Sequence, residues 1–231
     1  METKDILSNA LSKVDQEQME EIFKTSIPSK EKAFNAFNIP LKDIRYVLIG
    51  ESPYPRMESA NGLSFIDDNV KSLWTEEGKI SKEANKATSL RNLIKCALVG
   101  ENLLEAGKTT PKDIQKVDKS QLHNSMNDIK DSLLTNGVML LNVSLTIRKD
   151  ISVNKDAKFW FPFMESVFND LYQYNPDITF ILWGGIAKKV DKMKHSQQWK
   201  KIYSEHPYNM SFIDKIENQK LLKDINFIKK S

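Results

Sequence analysis

The sequence predicts an α/β protein with a central four-stranded parallel sheet flanked by helices. Three observations carry that expectation. Short apolar runs at residues 46–49, 138–141 and 178–183 read as buried strands. They alternate with stretches of helical periodicity, the pattern of a parallel sheet covered on both faces. Each run, like a shorter fourth at 200–204, stops at glycine or a polar residue: Gly50-Glu51, Asn142, Gly184-Gly185 and Glu205-His206. In a parallel sheet those ends share one edge, where open α/β sheets place their ligands.

In chain order, Ile6, Leu7, Leu11, Val14, Met19, Ile22 and Phe23 mark one or two amphipathic helices, interrupted near Asp15. Ser29 is placed to cap a short helix that Pro40 ends. The first strand then breaks into a turn carrying Glu51, Ser52, Pro53, Tyr54, Pro55 and Arg56. Residues 66–88 are polar and aperiodic, a loop with some helical turns. Ser89 is expected to cap a helix over 90–99, with Leu90, Leu93, Ile94 and Ala97 on one face. Ile129, Leu133 and Leu134 lead to Asn136-Gly137, a helix stop, and the second strand follows. An aromatic-rich helix over 159–174 starts or breaks at Pro162. A lysine-rich helix follows Gly184-Gly185 from 186 to about 194, and a last helix covers 221–228.

The 231 residues, 40% hydrophobic and 28% charged, suit one domain spanning 1–231, with 1–26 as a helical N-terminal extension. No apolar run approaches the roughly 20 residues of a membrane-spanning helix. The polar N-terminus does not look like a secretion signal. Cys96 is the only cysteine, so no intramolecular disulfide forms, clustered zinc ligands are lacking, and a reducing, cytoplasmic setting follows. No cofactor is expected. A net charge of +3 does not establish a nucleic-acid partner, although a positive groove can sit within a near-neutral total.

The expected strand-end edge gathers a carboxylate, an amide and an imidazole. Asn142 has the donors and acceptor to pair with a planar base that carries an N–H beside a carbonyl. His206 can donate to a carbonyl oxygen on which charge develops. Phe65 can stack on the base, and Tyr54 can wall one of its edges. Each has an ordinary alternative: a core phenylalanine, a turn asparagine, a loop histidine.

These segments resemble the uracil-DNA glycosylase family from about Phe34 to near the C-terminus. AFNAFNIPLKDIRYVLIGESPYP is similar to the family's lead-in strand and its water-activating loop, Gly-Gln-Asp-Pro-Tyr-His. ANGLSF resembles the base-stacking segment, TSLRNL the serine-bearing loop that pinches the DNA backbone, and GVMLLNVSLTIR the strand ending in the base-reading Asn. FILWGGIAKK resembles the strand and Gly-Ser loop, and HPYNMS stands in place of His-Pro-Ser-Pro-Leu-Ser. The resemblance implies a uracil-DNA glycosylase-like fold and excision of uracil, or a related damaged base, from single- or double-stranded DNA by a monomer. Asn142 would read the base, His206 would stabilise its departing anion, Phe65 would stack, and Tyr54 would exclude the thymine methyl. Ser89, Gly184, Gly185, Pro207 and Ser211 would contact DNA, and Met210 would wedge into the vacated stack.

The departures fall on the chemistry. Ser52 occupies the place of the family's catalytic Asp, Glu51 that of its Gln, Pro55 that of its loop His, and Gly185 that of the Gly-Ser serine. Ser52 can hold water but supplies no charge to an oxocarbenium-like transition state. Glu51 and Glu58 are the carboxylates able to compensate. Gly50-Glu51-Ser52-Pro53 also resembles the Gly-Glu-Ala-Pro loop of branches that lack the Asp and still cleave. The iron–sulfur cluster of some such branches is ruled out, since Cys96 stands alone. Two functions therefore remain: a glycosylase of base excision repair, or a weakened or inactive DNA- or uracil-binding protein of the same fold.

Overall fold

Consecutive branched and apolar side chains leave a strand no solvent-facing side, so such strands need cover on both faces. The structure is a computed structural model that describes residues 1–230. Among the described residues the strands are β1 (Ser26–Ile27), β2 (Tyr46–Gly50), β3 (Val138–Asn142), β4 (Ile147–Arg148), β5 (Thr179–Trp183) and β6 (Lys200–Ser204). The expected parallel sheet has the order β3-β2-β5-β6. Tyr46 lies opposite both Val138 and Thr179, and Gly50 lies opposite Asn142. β3 and β5 are buried at every residue. β6 is an edge strand and keeps Lys200 in solvent, a charge that discourages pairing with another chain.

The chain forms two compact units. The first, residues 1–66 and 137–203, holds the sheet. Its N-terminal helices, Thr3–Leu11 and Gln16–Phe23, break where expected because Asp15 accepts the Gln18 N–H at 2.8 Å as an N-cap. Thr3–Leu11 packs on a long helix, Val153–Tyr174, and the Asn9 amide donates to Asp170 at 2.7 Å. That long helix neither starts nor breaks at Pro162, contrary to expectation. Proline removes one helical hydrogen bond; here Trp160, Phe163, Met164, Val167 and Phe168 bury the helix on both sides of it. Trp160 sits in an edge-to-face cluster with Phe23, Phe34 and Phe163 at centroid distances of 5.6 to 6.3 Å.

Nothing in the sequence pattern foretold the antiparallel pairing of β1 with β4. β4 is fixed by Asp156, which is 0% exposed. Its carboxylate accepts from the Arg148 backbone N–H at 2.9 Å and from the guanidinium at 2.8 and 2.6 Å. Removing one partner of such a pair leaves a buried charge without its counterion. Asp156→Ala is therefore expected to lower unfolding stability by about 3 kcal/mol, read as a lower urea midpoint.

The second unit, residues 67–136 and 204 onward, is helical: Lys82–Lys86, Thr88–Gly100, Pro111–Lys116, Met126–Thr135 and Ile216–Asp224. Ser89 does not cap its helix. The preceding short helix, capped by Ser81, ends at Lys86, so Ala87 takes the cap position and Ser89 lies in the first turn. The last helix also begins earlier than the periodicity predicts; Ile225, Phe227 and Ile228 stay buried in the turn and bends beyond its end. Helices Thr88–Gly100 and Ile216–Asp224 pack together and come close at Gly100, where a Cβ would lie 2.5 Å from the Gln219 carbonyl oxygen. Among the described residues, no helix is long and apolar enough to cross a membrane.

Candidate functional site

The first unit builds one half of the expected constellation at the carboxyl ends of β2 and β3. Gly50 ends β2 beside Asn142, the last residue of β3. A Cβ on residue 50 would stand 2.3 Å from Asn142 Oδ1 and 2.9 Å from Ser64 Cβ, so only glycine fits there. Asn142 is 2% exposed, yet its carboxamide makes no hydrogen bond among the described residues. A buried amide left unpaired costs free energy unless something else satisfies it. Its donors and acceptor are thus available for a ligand.

Ser64 pins the neighbouring segment by donating its hydroxyl to the Leu48 carbonyl at 2.8 Å, and its N–H donates to Leu140 at 3.3 Å. Phe65 follows at φ +61° and is half-buried. Such backbone costs of order 1–3 kcal/mol in a bulky residue, and strain of this kind clusters at ligand sites. Its ring meets Trp183, at the end of β5, edge-on at 5.5 Å.

The turn after β2 is tied to β3 through its backbone. The Gly50 and Glu51 carbonyls accept the N–H groups of Val143 and Ser144 at 2.9 and 3.0 Å. The Glu51 carboxylate is exposed and pairs with Lys189 Nζ at 2.5 Å. Ser52 is half-buried, and its hydroxyl has no partner among the described residues. Tyr54 is half-buried and Glu58 is exposed. Gly184 adopts φ +73°, whereas around Gly185 no atom lies within 4 Å of a Cβ. Lys189 lies on helix Ile186–Val190, which follows these glycines.

The second unit carries His206, Pro207, Met210 and Ser211 on one loop. His206 is exposed, and its Nδ1 accepts the Tyr208 N–H at 3.1 Å. A backbone N–H can only donate, so the neutral imidazole carries its proton on Nε2. Met210 is 56% exposed at the start of a 3-10 turn, Met210–Asp214. Ser211 is exposed and donates to the Glu205 carboxylate at 2.5 Å. Ser89 is half-buried in the first turn of Thr88–Gly100.

Burial pushes the Cys96 thiol up to about 12, which removes it as a nucleophile. Among the described residues no cluster of histidine, cysteine and carboxylates is suited to a metal. Lys189, Ser64 and Asn92 carry no role in the sequence pattern, although they lie inside the FILWGGIAKK, ANGLSF and TSLRNL segments.

A four-stranded parallel sheet flanked by helices, with a buried amide and an aromatic residue of positive φ near its strand ends, defines an α/β protein of the class that binds ligands at that edge of the sheet. No family model matches the sequence. The wild-type UNG crystal structure from Nitratifractor salsuginis superposes with a TM-score of 0.93 at 32% identity, covering 99% of this chain and 92% of that one. A uracil-DNA glycosylase of Streptococcus agalactiae is 28% identical over 197 residues, 84% of this chain and 75% of the relative. Mimivirus uracil-DNA glycosylase, at 20% identity and a TM-score of 0.53, shares the fold. The chain belongs to the uracil-DNA glycosylase family, hydrolases that act as N-glycosylases.

Proposed function

We propose that this protein excises uracil, or a closely related damaged base, from DNA by hydrolysing the N-glycosidic bond of a nucleotide turned out of the helix. The observation that carries this reading is the unpaired, buried carboxamide of Asn142 against Gly50. Asn142 pairs with the N–H and adjacent carbonyl of the base. His206, held with its proton on Nε2, donates to the carbonyl oxygen that gains charge as the bond breaks. Phe65 stacks on the ring, and Tyr54 blocks a 5-methyl group. Ser89, Gly184, Gly185, Pro207 and Ser211 hold the DNA backbone. Met210, an exposed apolar side chain, offsets part of the few kcal/mol that unstacking costs. The protein acts as a monomer in the cytoplasm, in base excision repair.

Ser52 holds the attacking water in place of an aspartate. Glu51 is committed to Lys189 and Glu58 faces solvent, which favours a slow enzyme over one with a relocated carboxylate. Single- and double-stranded oligonucleotides containing uracil, treated with alkali after incubation, test the reading. Product is expected with both, faster as the protein approaches stoichiometric amounts. Uracil-selective, salt-sensitive binding with no product at stoichiometric protein establishes instead the binding protein of the same fold.

A further inference from the structure

Asn92 is 0% exposed on helix Thr88–Gly100, on the side opposite the Leu90, Leu93, Ile94 and Ala97 stripe and in line with the buried Cys96 and Val99. A buried amide in such company costs stability unless it is paired. Its Nδ2 donates to the Pro207 carbonyl at 2.8 Å and shares its other hydrogen between the carbonyls of Tyr208 at 3.2 Å and Asn209 at 3.5 Å, Pro207 and Tyr208 being the two nearer acceptors. Its oxygen lies 3.4 Å from Arg91 Nε. The two carbonyls belong to the residues directly after His206. Peptide planes turned toward Asn92 on their carbonyl side leave the Tyr208 N–H to meet His206 Nδ1 at 3.1 Å, and the Asn209 N–H closes the turn on the His206 carbonyl at 3.0 Å.

Further along the segment, Asn218, itself 1% exposed, donates to the Phe212 carbonyl at 3.1 Å, and Gln219 donates to Ile213 at 2.8 Å. Both come from helix Ile216–Asp224, locked against Thr88–Gly100 at Gly100. Side-chain amides on two packed helices thus grip carbonyls at both ends of this segment, Pro207 and Tyr208 at one and Phe212 and Ile213 at the other, and Asn92 is the one that reaches the peptide beside the imidazole.

We propose that Asn92 is a positioning residue for His206: by holding the Pro207 and Tyr208 carbonyls it aims the Tyr208 N–H at Nδ1 and so keeps the imidazole proton on Nε2. The catalytic consequence rests on the function proposed above; the effect on the tautomer does not. Asn92→Ala is expected to leave the far-UV circular dichroism unchanged and to lower kcat on uracil DNA by about a hundredfold, with a much smaller change in KM. Nitrogen-15 spectra of the histidine rings should show His206 as the Nε2–H form in the native protein and as a tautomer mixture in the variant. Asn92→Asp adds an isosteric test. Its carboxylate cannot donate, but its protonated form can, and burial against carbonyls raises the pH at which it protonates. Above the pH at which the exposed imidazole itself takes a second proton, its His206 signal should therefore return toward the native one as pH falls, whereas that of Asn92→Ala should not. An unchanged His206 tautomer in Asn92→Ala overturns the proposal, as does a native kcat. Should Asn92→Ala fail to fold, a pH-independent native tautomer in Asn92→Asp overturns it equally. If the native protein releases no uracil, the proposed function falls while the tautomer measurement still decides this one.

Discussion

Ser52→Asp is expected to raise single-turnover excision of uracil by roughly a thousandfold. The gain follows from charge. A carboxylate about 4 Å from the cationic sugar, at an effective dielectric near 20, interacts by about 4 kcal/mol, and each 1.36 kcal/mol is tenfold in rate. Residue 52 is half-buried with a hydroxyl that pairs with nothing among the described residues, so its replacement breaks no existing bond. The loop itself is held by backbone carbonyls of Gly50 and Glu51, which the substitution leaves alone. Rapid-quench measurement with excess enzyme isolates the chemical step. A gain below about tenfold would mean that water is activated by some other group, with the Glu51–Lys189 pair the first to examine.

Gly50→Ala is expected to cost more than a hundredfold in kcat/KM. The new Cβ would fall 2.3 Å from Asn142 Oδ1 and 2.9 Å from Ser64 Cβ. Neither neighbour can yield cheaply. Asn142 is the last residue of a fully buried strand, and Ser64 is fastened to Leu48 by its hydroxyl. The carboxamide must move by about 1 Å, and a misplacement of that size is worth about a hundredfold. Overpacking adds about 1–3 kcal/mol of lost stability, to be followed by chemical denaturation alongside the kinetics. A stable Gly50→Ala protein with native kcat/KM would remove Asn142 as the residue that reads the base.

Much of the sheet was legible because β2, β3 and β5 are built on apolar runs that stop at glycine or a polar residue. Asn142 stood out for the same reason, as a polar residue closing an apolar run. Helix boundaries were less legible. Ser89 has the chemistry of a cap, but a neighbouring helix ending at Lys86 displaced the start to Thr88. Pro162 signals a break, yet packing on both sides overrode it. β1 and β4, two residues each, are too short to show any period. The Glu51–Lys189 and Asn92–Pro207 pairs join residues 138 and 115 positions apart, and no local pattern announces such partners.

The attachment of the turn after β2 to β3 through carbonyls has a wider consequence. Side chains at 51 and 52 can be exchanged without loosening that attachment, while residue 50 tolerates no side chain at all. If the proposed roles hold, selectivity for the nucleobase and speed of bond cleavage are separate inheritances: drift or selection could slow or quicken the reaction through two adjacent codons and leave untouched what the protein recognises.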